Sequence, residues 1–168
     1  RVRVTDTGAV ADGKTDCLGA IRKAIARVVD AGGGTVVFPA AKQPYLVSGT
    51  IVIRSDNVTL SGPKATIKLA DGAANGTKEA RGTDSQVHVV MVAGTAKRPV
   101  VGVQIQGLTI DANIYQQQDY YNPRAIVIEH GTRVGVRNVK ILRPFVGLDI
   151  GAGSSDCEVR GCVIEDWL

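Results

Sequence analysis

Apolar residues stand at every second position in a short phrase that the chain writes three times. The first copy places Val103 and Ile105 before Gly107, then Leu108 and Ile110 after it. The second has Val134, Val136, Asn138, Val139 and Ile141, and the third has Cys157, Val159, Gly161, Cys162 and Ile164. Alternation with a period of two marks a strand with one buried face. The Gly or Asn shifts that alternation by one residue where the chain must turn sharply, because both residue types tolerate positive φ. Each phrase therefore predicts strand, corner, strand. Val58, Leu60 and Gly62 form a fainter copy upstream.

The spacing of the copies predicts the architecture. Gly107 and Asn138 are 31 positions apart, Asn138 and Gly161 23, and Gly62 and Gly107 45, which reads as two short turns or one with an insertion. A unit of two or three short strands cannot bury its own apolar face, so it must stack on its neighbours. A parallel β-helix stacks such units one inter-strand spacing apart, and equivalent residues then form columns. Ile126 and Ile128 before the second copy match Leu148 and Ile150 before the third, and Ile51 and Ile53 fit the same column. A single domain over residues 1–168 follows, with β-helix turns over 35–168 and insertions at about 71–86 and 111–124.

One stretch follows a different period. Leu18, Ile21, Ile25 and Val28 recur at helical spacing, with Thr15 or Asp16 as N-cap and Gly32, Gly33 and Gly34 as terminator. The spacing predicts an amphipathic helix over 15–31 that caps the open end of the first turn and blocks edge-to-edge association.

Composition changes the picture little. Aromatics make up only 4% of the 168 residues against 44% hydrophobic, as suits a narrow core of stacked β-branched side chains. No apolar run approaches the roughly 20 residues of a membrane span. The chain starts at Arg1 without Met or signal peptide and stops after a strand at Leu168, so the expectation is the N-terminal part of a longer β-helix. Cys157 and Cys162 occupy the repeat positions of Val103 and Leu108, which predicts buried thiols, and three cysteines without CxxC spacing argue against zinc and disulfides alike.

Asp6, Gly8, Asp12, Gly13, Thr15 and Asp16, then Gly32, Gly33, Gly34, Thr35, Val36, Val37, Phe38 and Pro39, then Tyr45, Leu46 and Val47, carry a resemblance. This opening resembles that of the pectate-lyase-like right-handed β-helix superfamily, which includes polygalacturonases, polysaccharide lyases, mannuronan epimerases and phage tailspikes. The resemblance covers residues 3 to about 70 and implies an all-β, right-handed parallel β-helix with an N-terminal capping helix. Cys17 stands where the pattern commonly has a second Asp. The opening recurs in members with different activities, so its residues read as turns and caps, and function must be argued from a site.

The longest interruption, Asp111 to Arg124, holds Tyr115, Tyr120 and Tyr121, three of the four tyrosines. Long insertions on a repeat scaffold gather binding residues, and aromatic faces beside amides suit sugar rings. These tyrosines and Arg124 are candidate substrate contacts, or they pin the loop. Aligning the copies stacks Gln106, Arg137 and Arg160 in one outward column and Thr109, Lys140 and Val163 in another. Arg137 and Arg160, one turn apart, repel unless an anion sits between them, which with the net charge of +4 permits an acidic polyuronate. Asp111 and Asp149 are the acids that follow strands without an obvious turn or cap role, and His130 lies at a corner; these are the candidate catalytic residues. Together the map places Asp111, Asp149, Arg137 and Arg160 on one face beside the tyrosine loop. In the epimerases that the resemblance brings in, Asp149 matches a catalytic Asp, but Val146 and Gly151 stand at the neighbouring Tyr and His positions, leaving no proton carrier there.

No cofactor is predicted. Calcium needs several converging oxygens, which Asp111, Asp119 and Asp149 supply only if their loops meet. Gly32, Gly33 and Gly34 precede a strand instead of opening a helix, so no nucleotide or nucleic-acid site is expected, and no membrane. Two classes stay open. One is an extracellular or cell-surface lyase, hydrolase or epimerase acting on a polysaccharide. The other is a non-catalytic carbohydrate-binding or phage-tailspike-like adhesion module, a homo-oligomer and trimeric if tailspike-like.

Overall fold

The computed structural model describes residues 1–75, 87–118 and 123–167. Strand β1 (Val2–Arg3) and helix α1 (Leu18–Asp30) lead into β2 (Gly34–Val37), β3 (Tyr45–Val47) and β4 (Ile51–Ile53). The next turn carries β5 (Val58–Ser61), β6 (Thr66–Leu69), β7 (Val90–Ala93) and β8 (Val100–Val101). The third carries β9 (Gln104–Gln106), β10 (Thr109–Asp111), β11 (Arg124–Glu129) and β12 (Gly131–Thr132). Two further turns carry β13 (Gly135–Arg137), β14 (Lys140–Leu142) and β15 (Val146–Ile150), then β16 (Glu158–Arg160) and β17 (Val163–Glu165).

Every strand pairing among the described residues is parallel, and the pairing order makes a right-handed parallel β-helix. One side is a six-stranded sheet in the order β1-β2-β5-β9-β13-β16, the next a five-stranded sheet β17-β14-β10-β6-β3, the third a four-stranded sheet β15-β11-β7-β4. The registers are those of the repeated phrase: Ile105 faces Val136, which faces Val159, and Ile110 faces Ile141, which faces Ile164. Because β5 pairs directly with β9, the gap of 45 positions is one turn with insertions.

Alternation drives one residue of each pair inward. Leu60, Ile105, Ile67, Ile110, Ile53 and Ile128 are all fully buried, and each such side chain contributes roughly 1.5–3 kcal/mol by leaving water. In the last turn Val159 and Ile164 are exposed, and Cys157 and Cys162 are half-buried instead of buried, because their inward faces have a stacked neighbour on one side only among the described residues.

The corners fall in columns of left-handed backbone. Gly107, Asn138 and Gly161 have φ of 69°, 52° and 63°, as the phrase predicts. The faint copy differs: its corner contains two more residues, and Lys64, at φ 64°, takes the left-handed conformation in place of Gly62. Asn113, Arg143 and Asp166 form a second column, and Asn57, Gly102, Arg133 and Asp156 a third. Non-glycine residues at such angles cost of order 1 kcal/mol each, and the stacked turns on either side hold them there.

Helix α1 buries Leu18, Ile21, Ala24, Ile25 and Val28 against the end of the barrel, and it packs on β1, β2, β4 and β5. It begins at Leu18 because Asp16 is occupied at its start. Asp16 Oδ1 accepts the N–H groups of both Leu18 and Ser48, and its other oxygen accepts the Ser48 hydroxyl. Thr15 does not cap the helix; its N–H and hydroxyl go to Asp12. Those bonds and the one from the Lys14 N–H lower the Asp12 carboxyl to about 2. Cys17 is fully buried beside them, and burial pushes its thiol up, so it is an inert part of the core. None of the described helices is long and apolar enough to cross a membrane.

Candidate functional site

The residues that the sequence gathers on one face are divided among three sheets. Arg137 and Arg160 belong to the six-stranded sheet, Asp111 to the five-stranded sheet, and Asp149 to the four-stranded sheet. The corner columns explain the division, since each phrase turns from one side of the solenoid to the next at its Gly or Asn.

On the six-stranded sheet the anion between the two arginines is the protein's own. Glu158 stands on the strand beside Arg137, accepts from Arg137 Nε at 2.7 Å and pairs with Arg160 at 3.3 Å. The Arg137 fork also donates to Gln104 Oε1 at 2.8 Å. Gly135 lies between Gln104 and Glu158 in that row, and a Cβ there would run into the Gln104 side chain, so glycine is required for the bridge to close. The Arg137 hydrogen bond and charge hold the Glu158 carboxyl below its usual range. This ladder is satisfied internally.

Asp111 is equally committed. It is 3% exposed, its Oδ1 accepts the Asn113 N–H at 2.9 Å, and it forms a two-pronged ion pair with Arg143, whose pKa that bond raises. An Asp that turns the chain and neutralises a half-buried arginine is structural. It fixes the start of the tyrosine loop. Asn113 then donates to Leu69 O and Asp71, Gln117 binds Ala70 O and the Ala74 N–H, and the Gly72 N–H donates to Gln116 O. The two insertions are thus clasped together. Tyr115 is 54% exposed, with its hydroxyl 3.3 Å from Asp166 O. Tyr120, Tyr121 and Asp119 lie outside the described residues.

The four-stranded sheet is different. Its registers place Val52, Met91, Val127 and Asp149 in one row across the strands, and Ala93 beside Glu129 in the next. Met91 and Val127 are nearly fully buried in a small apolar cluster with Ala93 and Val52, separate from the core inside the barrel. Asp149 closes that row with an ion pair to Arg124 at 3.1 Å. Arg54, Glu129 and His130 line a cavity of about 250 Å³ with Met91, Ala93 and the segment from Gly94 to Ala96. Gly94 allows the wall of that cavity to sit down: a Cβ there would lie 2.8 Å from the Val100 nitrogen and closer still to the His130 carbonyl. Beyond it Thr95 and Arg98 exchange backbone hydrogen bonds at 3.0 Å, which makes a tight turn.

His130 sits at a left-handed corner with φ 47°, just past the end of β11 and three positions beyond Asp149's partner Val127. Gly151 leaves the space beside Glu129 open: a Cβ there would make ordinary contact with Glu129 Cγ at 3.4 Å. Of the acids proposed from sequence, Asp149 stays in a candidate site and Asp111 leaves it. Glu129 and Arg54 join it. Extending the alternation of Ile126 and Ile128 by one position would have put Glu129 on the face of Asp149. Asp111 and Asp149 stand on different sheets, and no cluster of three potential metal ligands occurs among the described residues.

A family model described as rhamnogalacturonase A/epimerase, pectate lyase-like, matches residues 1–161. The chain belongs to that family. No curated protein matches it in sequence. Among solved structures it is similar to the A-module of the mannuronan C-5 epimerase AlgE6 of Azotobacter vinelandii, with a TM-score of 0.75 at 22% identity, over 96% of this chain and 43% of that one. It is also similar to PfbA, a surface adhesin of Streptococcus pneumoniae, with a TM-score of 0.73 at 25% identity, over 99% of this chain and 38% of that one. The tailspike of Escherichia coli bacteriophage HK620, solved with a pentasaccharide, follows at a TM-score of 0.53 and 15% identity, over 98% of this chain and 35% of that one. The chain therefore spans less than half the length of these relatives, and the likeness to them is one of fold.

Proposed function

We propose that this chain supplies the polysaccharide-binding face of a carbohydrate-active β-helix protein working outside the cell or on a virion, and that its site is the outer face of the four-stranded sheet. The observation that carries this is the cavity at that sheet's margin, where Arg54, Glu129 and His130 stand around Met91 and Ala93. Mostly apolar concave surfaces with a few placed polar groups are the usual form of a small-molecule or sugar site.

The reaction the geometry supports best is hydrolysis of a glycosidic bond. Asp149 and Glu129 stand on adjacent strands, one row apart on the same face, so strand spacing puts their Cα atoms about 8 Å apart. Inverting glycosidases hold their two carboxyl groups roughly 6.5–9.5 Å apart to admit a water, a separation within the reach of Asp and Glu side chains that start from such Cα positions. Asp149, charge-paired with Arg124, takes a proton from that water as its oxygen bonds to the anomeric carbon. Glu129 gives a proton to the departing glycosidic oxygen, and the carbon–oxygen bond breaks with inversion. Elimination or epimerisation of the epimerase type has less support, because Val146 and Gly151 carry no proton at the positions where the resemblance expects a Tyr and a His. The second reading, an adhesion module, draws on the Arg124–Asp149 pair, which equally holds a carboxylate ready to accept sugar hydroxyls.

Incubation of the protein with a panel of polyuronates and neutral glucans separates these. New reducing ends without absorbance in the unsaturated-uronate band are expected, and Glu129→Gln and Asp149→Asn should abolish them. Activity unchanged in both variants would overturn the hydrolase reading. Binding without any product would give the adhesion module in its place.

A further inference from the structure

We infer that the groove between α1 and β4 is a second binding site, which holds a further sugar unit of the polymer lying on the four-stranded sheet. The inference rests on the sheet-face reading above. The groove has a volume of about 320 Å³ and is walled by Ile25, Ala26 and Val29 of α1 and by Val52 of β4. Arg22, Asp30, Arg54 and Ser55 stand around it.

Two observations tie it to the sheet. Arg54 lines both this groove and the cavity beside Glu129, so one guanidinium stands where the two meet. Val52 is the first member of the row that runs through Met91 and Val127 to Asp149. Asp149 and Val52 stand three strand spacings apart, about 14 Å, so a polymer that extends from Asp149 across the sheet meets α1 at its far edge.

The helix carries more apolar surface on this side than capping needs. Its buried stripe, Leu18, Ile21, Ala24, Ile25 and Val28, closes the barrel end. Ala26 and Val29 extend past that stripe toward Val52, with Ala26 exposed and Val29 half-buried. Such an apolar wall suits the C–H face of a sugar ring, and the guanidinium, carboxylate and hydroxyl groups around it suit the ring's hydroxyls. The occupant is thus a sugar unit of the same chain, bound face-on.

The test is calorimetric titration of size-graded fragments of the polyuronates and neutral glucans in that panel. Affinity in the wild type is expected to rise about tenfold once a fragment is long enough to reach α1. Ala26→Trp fills the groove from an exposed helix position; it should erase that gain and leave short-fragment affinity unchanged, while Lys23→Trp, outside the groove, keeps both. Asp30→Trp enters the groove from its rim and serves if Ala26→Trp fails to fold. A length gain that persists in the groove variants, or none in the wild type, overturns the inference and leaves the sheet-face reading standing. Failure of every fragment to bind the wild type overturns the sheet-face reading and this inference with it.

Discussion

The six-stranded and four-stranded sheets both carry charged residues in outward rows, yet only the second borders a cavity on which a site is proposed. On the six-stranded sheet the row places Glu158 where both arginines reach it, and Gln104 takes a further N–H of Arg137 across Gly135. Opposite charges on neighbouring rungs find each other, and the ladder closes. On the four-stranded sheet the row beneath the charges is Val52, Met91 and Val127, which have nothing to offer an ion. Asp149 pairs with Arg124 at one end of that row, and Arg54 and Glu129 line the cavity at its margin. An outward charge column is therefore a weak sign of ligand binding until the next rung is known.

The sharpest way to break this contrast is catalytic. Glu129→Gln should lower turnover on the responsive polysaccharide by about 100-fold or more, the usual loss of a general acid, whereas Arg137→Gln should leave it unchanged. If Arg137→Gln were the damaging one, the two faces would exchange roles.

Next comes stability. Asp111→Ala leaves Arg143 half-buried without its carboxylate and is expected to cost about 2 kcal/mol in urea unfolding, below the figure for fully buried pairs because Arg143 is 35% exposed. Asp149→Ala, on the open face, should cost well under half of that. Equal costs would mean that the Arg124–Asp149 pair is as structural as the Asp111 one.

Gly135→Ala tests the closed ladder itself. The new methyl displaces Gln104 from Arg137, and a loss of about 1 kcal/mol is expected from the broken hydrogen bond. The equivalent change at Gly151 meets Glu129 only at ordinary contact distance, so its melting temperature should hold.

The smallest effect lies in acid. Glu158 and Asp12 have folded-state pKa values below their ordinary ones of 4.5 and 3.8. Each therefore contributes stability that is present above its ordinary value and fades as pH falls, for Asp12 down toward about 2. Melting temperature should decline below about pH 4.5, and Glu158→Gln should flatten the upper part of that decline. A variant with an unchanged acid slope would show that the ladder is not held by charge.

Much of the fold was legible in the chain, and less of the site. Strand, corner and inward column follow from alternation and from Gly107, Asn138 and Gly161, because pleat period and positive φ are local properties. Arg133, Arg143 and Lys64 take the same left-handed geometry without a residue type that announces it; stacking above and below imposes it. Glu129 was within reach of the alternation argument, since it continues the strand of Ile126 and Ile128. Arg54 was not, because its role depends on Gly94 letting a distant segment settle over the sheet.

The sequence by itself determined the β-helix, the capping helix and which side chains of the three phrases stand in which column, since each depends on a local period or turn that the chain repeats. Tertiary structure decided which columns share a face and which charges are consumed. Three corners separate residues that an aligned repeat places side by side, and an ion pair such as Asp111 with Arg143 joins positions 32 apart. Charge pairing depends on distances in space, and those are set only when the turns close.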